Sequence, residues 1–316
     1  MPRDSRAAWR VRRRATESAP PEMATQRRSP GWMLVRSKGR VGLAGIRLHL
    51  TVETSNRDDV ASGHDAWKLE SILYTSQVMR VFVILPAAGI GTRMAAGGAS
   101  TAAPKQFLEI GGVPVLVRSV RAFLAVPRVD AVCLAVRAHE RERVEAQMEE
   151  YKLGPRVHMV EGGDNRQHSV ANALAALECD ADDVVLVHDA VRPLIDPATI
   201  ERTIDAVVKH GAAIVGLPAV DTIKQVERTA EGAIVTATIP RERIVQAQTP
   251  QGARFGLLRA AFAEAEVDGF SGTDEASLLE RSGVEVAVVQ GAARNFKITQ
   301  PGDIELAEFY LGLVKA

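Results

Sequence analysis

Val81-Phe82-Val83-Ile84-Leu85-Pro86-Ala87-Ala88-Gly89-Ile90-Gly91-Thr92-Arg93-Met94 passes from a short apolar segment into a small-residue turn that ends on an arginine. Val81 to Leu85 falls far below the roughly 20 residues that cross a bilayer, so it reads as a buried strand. Small side chains in a strand-to-helix turn let backbone N–H groups approach a polyphosphate. Arg93, and Lys105 in Pro104-Lys105-Gln106-Phe107, add positive charge on either side. Ala87, Ala88 and Gly89 therefore head a phosphate-type loop. Two other loops of this kind are excluded: a dinucleotide fingerprint needs a third glycine where Met94 stands, and no GxxxxGK string occurs.

Downstream, short Val/Ile/Leu runs alternate with longer amphipathic stretches in a βαβα rhythm. The pattern predicts strands over Val81–Leu85, Val129–Val136, Val157–Val160, Asp183–His188, Ala212–Leu217 and Val284–Val289. It predicts helices over Val115–Ala125, His139–Glu150, Arg166–Leu177, Pro197–His210, Phe255–Glu264, Asp274–Arg281 and Pro301–Leu311. Strands that are apolar throughout must be covered on both faces, which implies an α/β, Rossmann-like fold: a mostly parallel sheet with helices on either side. Between Asp221 and Gln248 the rhythm breaks into extended segments joined by turns. A lone hairpin is marginal in water, so this projecting β-arm is a candidate dimerisation element.

Composition narrows the classes further. With 46% hydrophobic and 25% charged residues in 316, the chain has the make-up of a globular protein. Residues 1–78 hold 14 Lys+Arg against 8 Asp+Glu, leaving 25 against 31 in 79–316, so a net +6 faces a net −6. An acidic folded part with its basic excess in an Arg-rich leader argues against nucleic acid as a partner. No apolar run is long enough for a membrane span. The leader has no sustained helix or strand period, and Asp4, Glu17, Glu22, Asp58 and Asp59 speak against an organelle transit peptide. We read residues 1–78 as an irregular segment outside the domain, disordered or translated from a start upstream of a true beginning near Met79. The domain proper is then 79–316, with its arm at about 221–248. Cys133 and Cys179 have no CxxC or metal-ligand partner nearby, and idle thiols suit the reducing cytoplasm.

Further motifs follow in order: EGGDNRQHSV at Glu161–Val170, VHDAVRP at Val187–Pro193, DTIK at Asp221–Lys224, IPRERIVQAQTPQ at Ile239–Gln251, TDEASLLE at Thr273–Glu280 and NFKIT at Asn295–Thr299. With the loop and PKQF, they resemble the 2-C-methyl-D-erythritol 4-phosphate cytidylyltransferases, nucleotidyltransferases of the non-mevalonate isoprenoid route. The resemblance covers essentially all of residues 80–312 and none of residues 1–78.

The resemblance implies CTP and a polyol phosphate as substrates, Mg²⁺ or another divalent cation, and a homodimer built through the arm. It implies that Ala87, Ala88, Gly89, Gly163, Asp164 and Ser169 hold the nucleotide; taken alone, Asp164 and Ser169 also read as helix N-caps. Arg93 and Lys105 are implied as catalytic cations at the α-phosphate, and such a transfer needs positioning and charge but no protein nucleophile. Asp189, at a strand end where open parallel sheets place ligand groups, is implied to meet the acceptor hydroxyls near the metal. Thr222, Arg241, Thr249, Thr273 and Lys297 are implied to grip the second substrate. Arg192 fits either a ligand contact or a structural bridge to Asp189, and His168 and His188 fit packing or surface roles. Residues 95–103 lengthen the loop relative to the family, and Thr92 stands where a basic or small residue is common. The competing classes are a ribitol 5-phosphate cytidylyltransferase and a nucleotide-binding module without catalysis. TDEASLLE and PRERIVQAQ favour the methylerythritol family, and intact Arg93, Lys105, Asp189, Arg241 and Lys297 favour an enzyme.

Overall fold

The computed structural model describes residues 35–43, 46–54, 75–89 and 104–314, with side chains over 79–89 and 104–312. The chain divides into two compact units. Most of a three-stranded sheet belongs to the first: β1 (Val35–Leu43), β2 (Ile46–Thr54) and β3 (Thr75–Val78), in that order. These strands correct the expectation that residues 1–78 carry no strand period. Ile46, Leu48, Leu50 and Val52 alternate with Arg47, His49, Thr51 and Glu53, a period-two signal masked by the Arg-rich text around it.

The second unit holds Gly42–Arg47 and Gln77–Ala316. Its strands are β4 (Val81–Pro86), β5 (Glu109–Ile110), β6 (Val113–Pro114), β7 (Ala131–Val136), β8 (Val157–Glu161), β9 (Val184–Val187) and β10 (Ala212–Pro218). They are followed by β11 (Ile223–Thr229), β12 (Gly232–Ile239), β13 (Val245–Arg254) and β14 (Ala287–Gln290). Its helices are α1 (Val115–Leu124), α2 (Arg141–Glu150), α3 (Arg166–Ala176), α4 (Pro197–His210), α5 (Phe255–Val267), α6 (Glu275–Arg281) and α7 (Gly302–Val314).

The main sheet has the order β14-β10-β13-β9-β4-β7-β8. Neighbours run parallel except at β13, which is antiparallel to both β10 and β9. The mostly parallel α/β sheet expected from the sequence is thus present, with one reversed strand inside it. Its strands are apolar at successive positions because both faces are covered. Val83, Leu85, Leu134 and Leu186 pack with Phe123 of α1, Val144 of α2 and Ile200 of α4. The intervening Ile84, Cys133, Val185 and Val187 pack with Leu174 of α3, Leu258 of α5 and Leu279 of α6. Cutting the wholly buried Leu134 to alanine would cost about 2–5 kcal/mol.

Helix α4 keeps its predicted bounds because both ends are written in the chain. The Asp196 side chain accepts the Thr199 N–H at 2.8 Å, Pro197 opens the first turn, and Gly211 beyond the last turn takes φ 91°. Elsewhere the sequence pattern is less exact: the strand predicted at Val284–Val289 is Ala287–Gln290. The arm is also shorter than 221–248. β11 and β12 form an exposed antiparallel hairpin, whereas β13 joins the main sheet. The segment Val-Gln-Ala-Gln-Thr-Pro-Gln-Gly-Ala-Arg has no apolar run to betray this, because its buried Gln248, Thr249 and Gln251 are satisfied by hydrogen bonds with distant residues. Among the described residues no helix is long and apolar enough to cross a membrane.

Candidate active site

A cleft of about 310 Å³ opens beyond the carboxyl ends of β4, β7, β8 and β9, the place where open α/β sheets bind ligands. The first wall is backbone. The Ala87 N–H donates to the Ala135 carbonyl at 2.8 Å, tying the turn after β4 to β7. Gln106 Nε2 donates to the Ala87 carbonyl at 2.8 Å and Arg137 Nε to the Ala88 carbonyl at 2.7 Å, so both loop carbonyls are occupied. Opposite them the chain must be glycine. A Cβ on Gly162 would sit 2.4 Å from the Ala88 Cβ, and one on Gly163 would sit 2.4 Å from the His168 Cβ. Asn165 caps α3, its side chain accepting the His168 N–H at 2.8 Å, so the cap left open between Asp164 and Ser169 belongs to their neighbour. Ser169 is buried; its Oγ donates to the Asn165 carbonyl at 2.8 Å and accepts the Gly163 N–H at 3.0 Å. Asp164 is exposed on the cleft wall.

The second wall is charged. Asp189, just past β9, is buried yet meets three cations: Arg166 Nε at 3.1 Å from Oδ1, and Arg192 Nε at 3.3 Å and Lys297 Nζ at 3.0 Å from Oδ2. Burial pushes this carboxyl up, but Arg166, Lys297 and Arg192 overcome that and hold it below the ordinary carboxylate range. Lys105, in the turn Lys105–Phe107 that follows Pro104, is also buried, and its Nζ donates to the Thr299 carbonyl at 2.5 Å. Beneath the cleft lies His188. Burial drives its pKa down to about 4, leaving a neutral ring that contacts the Arg192 carbonyl through Nε2 at 3.0 Å and Thr249 Oγ1 through Nδ1 at 2.9 Å. These partners assign the proton to Nε2, so that Thr249 donates to Nδ1 and accepts the Asp189 N–H at 3.1 Å.

The fold therefore brings Ala87, Ala88, Gly89, Lys105, Gly163, Asp164, Ser169, Asp189 and Lys297 to one cleft. Thr249 lies under it, with its hydroxyl engaged by His188 and the Asp189 backbone. Thr222, Arg241 and Thr273 are exposed and do not line it; Arg241 Nη1 donates to the Val220 carbonyl at 2.7 Å beside the hairpin. Arg93 and the lengthened stretch 95–103 lie outside the described residues. Arg192 does bridge to Asp189, and its Nη1 also donates to the Asn295 carbonyl at 2.7 Å. Sequence reasoning passed over Arg166 and Glu275. Arg166 is the first residue of α3, where the helix dipole disfavours a cation, and that misfit was the available signal.

A Gly-rich turn facing a set of cations across the strand ends of a parallel sheet is a site for an activated phosphate, and the class so defined is that of the α/β nucleotidyltransferases. Similarity to known proteins sharpens it. The family model for 2-C-methyl-D-erythritol 4-phosphate cytidylyltransferase matches residues 81–313, and the chain belongs to that family. It is 71% identical over 233 residues to the 2-C-methyl-D-erythritol 4-phosphate cytidylyltransferase of Acidobacterium capsulatum, covering 74% of this chain and 98% of the relative. The Solibacter usitatus relative of the same description is 52% identical over 235 residues, covering 74% and 96%. The crystal structure of the cytidylyltransferase of that description from Thermus thermophilus is 34% identical, covers 73% of this chain and 98% of its own, and has a TM-score of 0.57.

Proposed function

We infer that this chain, as a member of that family, joins CTP to 2-C-methyl-D-erythritol 4-phosphate, giving 4-diphosphocytidyl-2-C-methyl-D-erythritol and pyrophosphate, in isoprenoid precursor biosynthesis. The observation that carries this is the meeting of Lys105, Lys297 and Asp189 beside the backbone wall of one cleft. In the reaction an acceptor phosphate oxygen forms a bond to the CTP α-phosphorus, the bond to the bridging oxygen breaks, and its electron pair leaves with pyrophosphate. Lys105 and Arg93 neutralise the α-phosphate as charge builds. The backbone at Ala87, Ala88, Gly89 and Gly163, with Asp164 and Ser169, holds base and ribose. Lys297, Asp189, Thr222, Thr249, Thr273 and Arg241 serve the acceptor.

A magnesium ion fits this site in a limited way. Among the described residues no three His, Cys, Asp or Glu side chains cluster for a metal, but magnesium commonly takes one carboxylate plus substrate phosphates and water. Asp189 is ionised and accepts one cation contact on Oδ1 and two on Oδ2, which leaves acceptor capacity on Oδ1. Bound there, the ion would supply charge neutralisation at the phosphates.

The hairpin exposes Val226, Ile234 and Val235, and Arg241 stands outside its own chain's cleft. Both support a homodimer in which the arm carries Arg241 to the partner's site. Burial pushes the Cys133 and Cys179 thiols up to about 11 and 12, and such inert free thiols suit a cytoplasmic enzyme. Pyrophosphate release, measured with CTP against a panel of polyol and sugar phosphates, tests the function. Release should require 2-C-methyl-D-erythritol 4-phosphate and a divalent cation; equal turnover with ribitol 5-phosphate would overturn the substrate assignment.

A further inference from the structure

We propose that Arg166 and Glu275 are positioning residues for the transfer, an ion pair of a half-buried arginine and a buried glutamate that holds the Asp189 carboxylate in one direction at the cleft. The role rests on the function inferred above. Arg166 meets Glu275 through two parallel hydrogen bonds, Nη1 to Oε1 at 2.7 Å and Nη2 to Oε2 at 2.9 Å. A guanidinium gripped in this bidentate way has its plane fixed, and its remaining Nε then points at Asp189 Oδ1, 3.1 Å away. Oδ2 is left to Arg192 and to Lys297, the more exposed of those two partners.

Glu275 is itself held in place. It is 1% exposed and begins α6, whose start is clamped by Gln251 on β13. The Gln251 amide donates to Asp274 Oδ2 at 2.9 Å and accepts the Ala276 N–H at 3.0 Å. A rigid line of contacts therefore runs from the reversed strand through the head of α6 and Arg166 to the cleft. Energetics argue that the pair is there for more than stability. Taking the Glu275 carboxylate out of water, against an Arg166 side chain that keeps only 28% exposure, is costly enough that an apolar pair of similar volume is often as stable, and a cation at the first position of α3 works against the helix dipole. What the arrangement supplies that an apolar pair would not is a charged partner of fixed orientation for Asp189.

The test is steady-state kinetics on Glu275→Gln and Arg166→Lys, each alone and combined with Asp189→Asn. Each single variant should lose about tenfold in kcat while KM for CTP stays within about twofold, because the reacting geometry is disturbed and the nucleotide wall is not. In the Asp189→Asn background either change should lower kcat by less than about twofold, since the carboxylate to be positioned is gone. Wild-type kcat in both single variants, or the same loss with and without Asp189, would overturn the role. If one variant does not fold, the other decides; failure of both makes the pair a structural bridge and also overturns it. A wild-type protein inactive with CTP and every acceptor sinks the functional reading and this role with it, whereas an active wild type with indifferent variants sinks the role alone.

Discussion

Lys297 Nζ lies 3.0 Å from Asp189 Oδ2, and two residues further along the chain the Thr299 carbonyl takes the Lys105 ammonium at 2.5 Å. One short segment thus supplies one lysine of the cleft and the carbonyl that holds the other. The two differ in setting. Lys105 is buried, whereas the Lys297 side chain is 35% exposed, so an incoming phosphate can draw Lys297 from Asp189 more readily than it can move Lys105.

That difference predicts distinct kinetic losses. Lys105→Ala removes a preorganised charge from the transition state and should lower kcat by about a hundredfold, on the order of 3 kcal/mol. Lys297→Ala should raise KM for the polyol phosphate more than KM for CTP. Pyrophosphate release with each substrate varied in turn separates the two patterns. Near-normal kcat in Lys105→Ala would remove that residue from the catalytic role.

The His188 imidazole predicts how stability depends on pH. Its pKa of about 4 in the folded protein lies below the ordinary 6.5, so the unfolded chain takes up the proton first. Its contribution is complete above about pH 6.5 and is lost as pH falls toward 4, on the order of 3 kcal/mol across the window. The depressed Asp189 carboxyl acts in the same sense at lower pH: its contribution is present above about pH 4 and lost below. Denaturant midpoints from pH 7.5 to 4 follow this, and NMR of the imidazole should show it still neutral at pH 5. A ring that titrates near 6.5 in the folded protein would contradict its burial among Phe123, Thr249 and the Arg192 carbonyl.

Deleting residues 1–78 should leave turnover and thermal stability of the remaining domain nearly unchanged, because the family match begins at residue 81. Thermal melts and pyrophosphate release on the truncated chain check this. A truncated chain that fails to fold while the full chain folds would place the leader inside the domain.

Mixing Arg93→Ala protein with Arg241→Ala protein under subunit exchange tests the shared site. In a mixed dimer one site receives both lesions and the other receives neither. If half of the dimers are mixed, about a quarter of all sites become wild type and activity returns from two nearly inactive samples. With exchange demonstrated by differently tagged chains, continued inactivity would mean that Arg241 serves its own subunit.

What the sequence determined by itself was local. The apolar run Val81–Leu85 with its small-residue turn, the helix ends at Asp196-Pro197 and Gly211, and the two-faced strands all depend on neighbours in the chain, so period and capping reveal them. The same holds for the motifs that bring Lys105, Asp189 and Lys297 into consideration. What only the tertiary structure decided was which polar residues are buried and by whom they are satisfied. β13 has no hydrophobic signature, and it becomes an inner strand because His188, Asp274 and Asn295 meet its Thr249, Gln251 and Gln248. Arg166 and Glu275 stand 109 residues apart, and no pattern along the chain pairs them. A buried charge is tolerated only beside its partner, and that partner is chosen by the packing of α3 against the head of α6, which exists only once the sheet has formed.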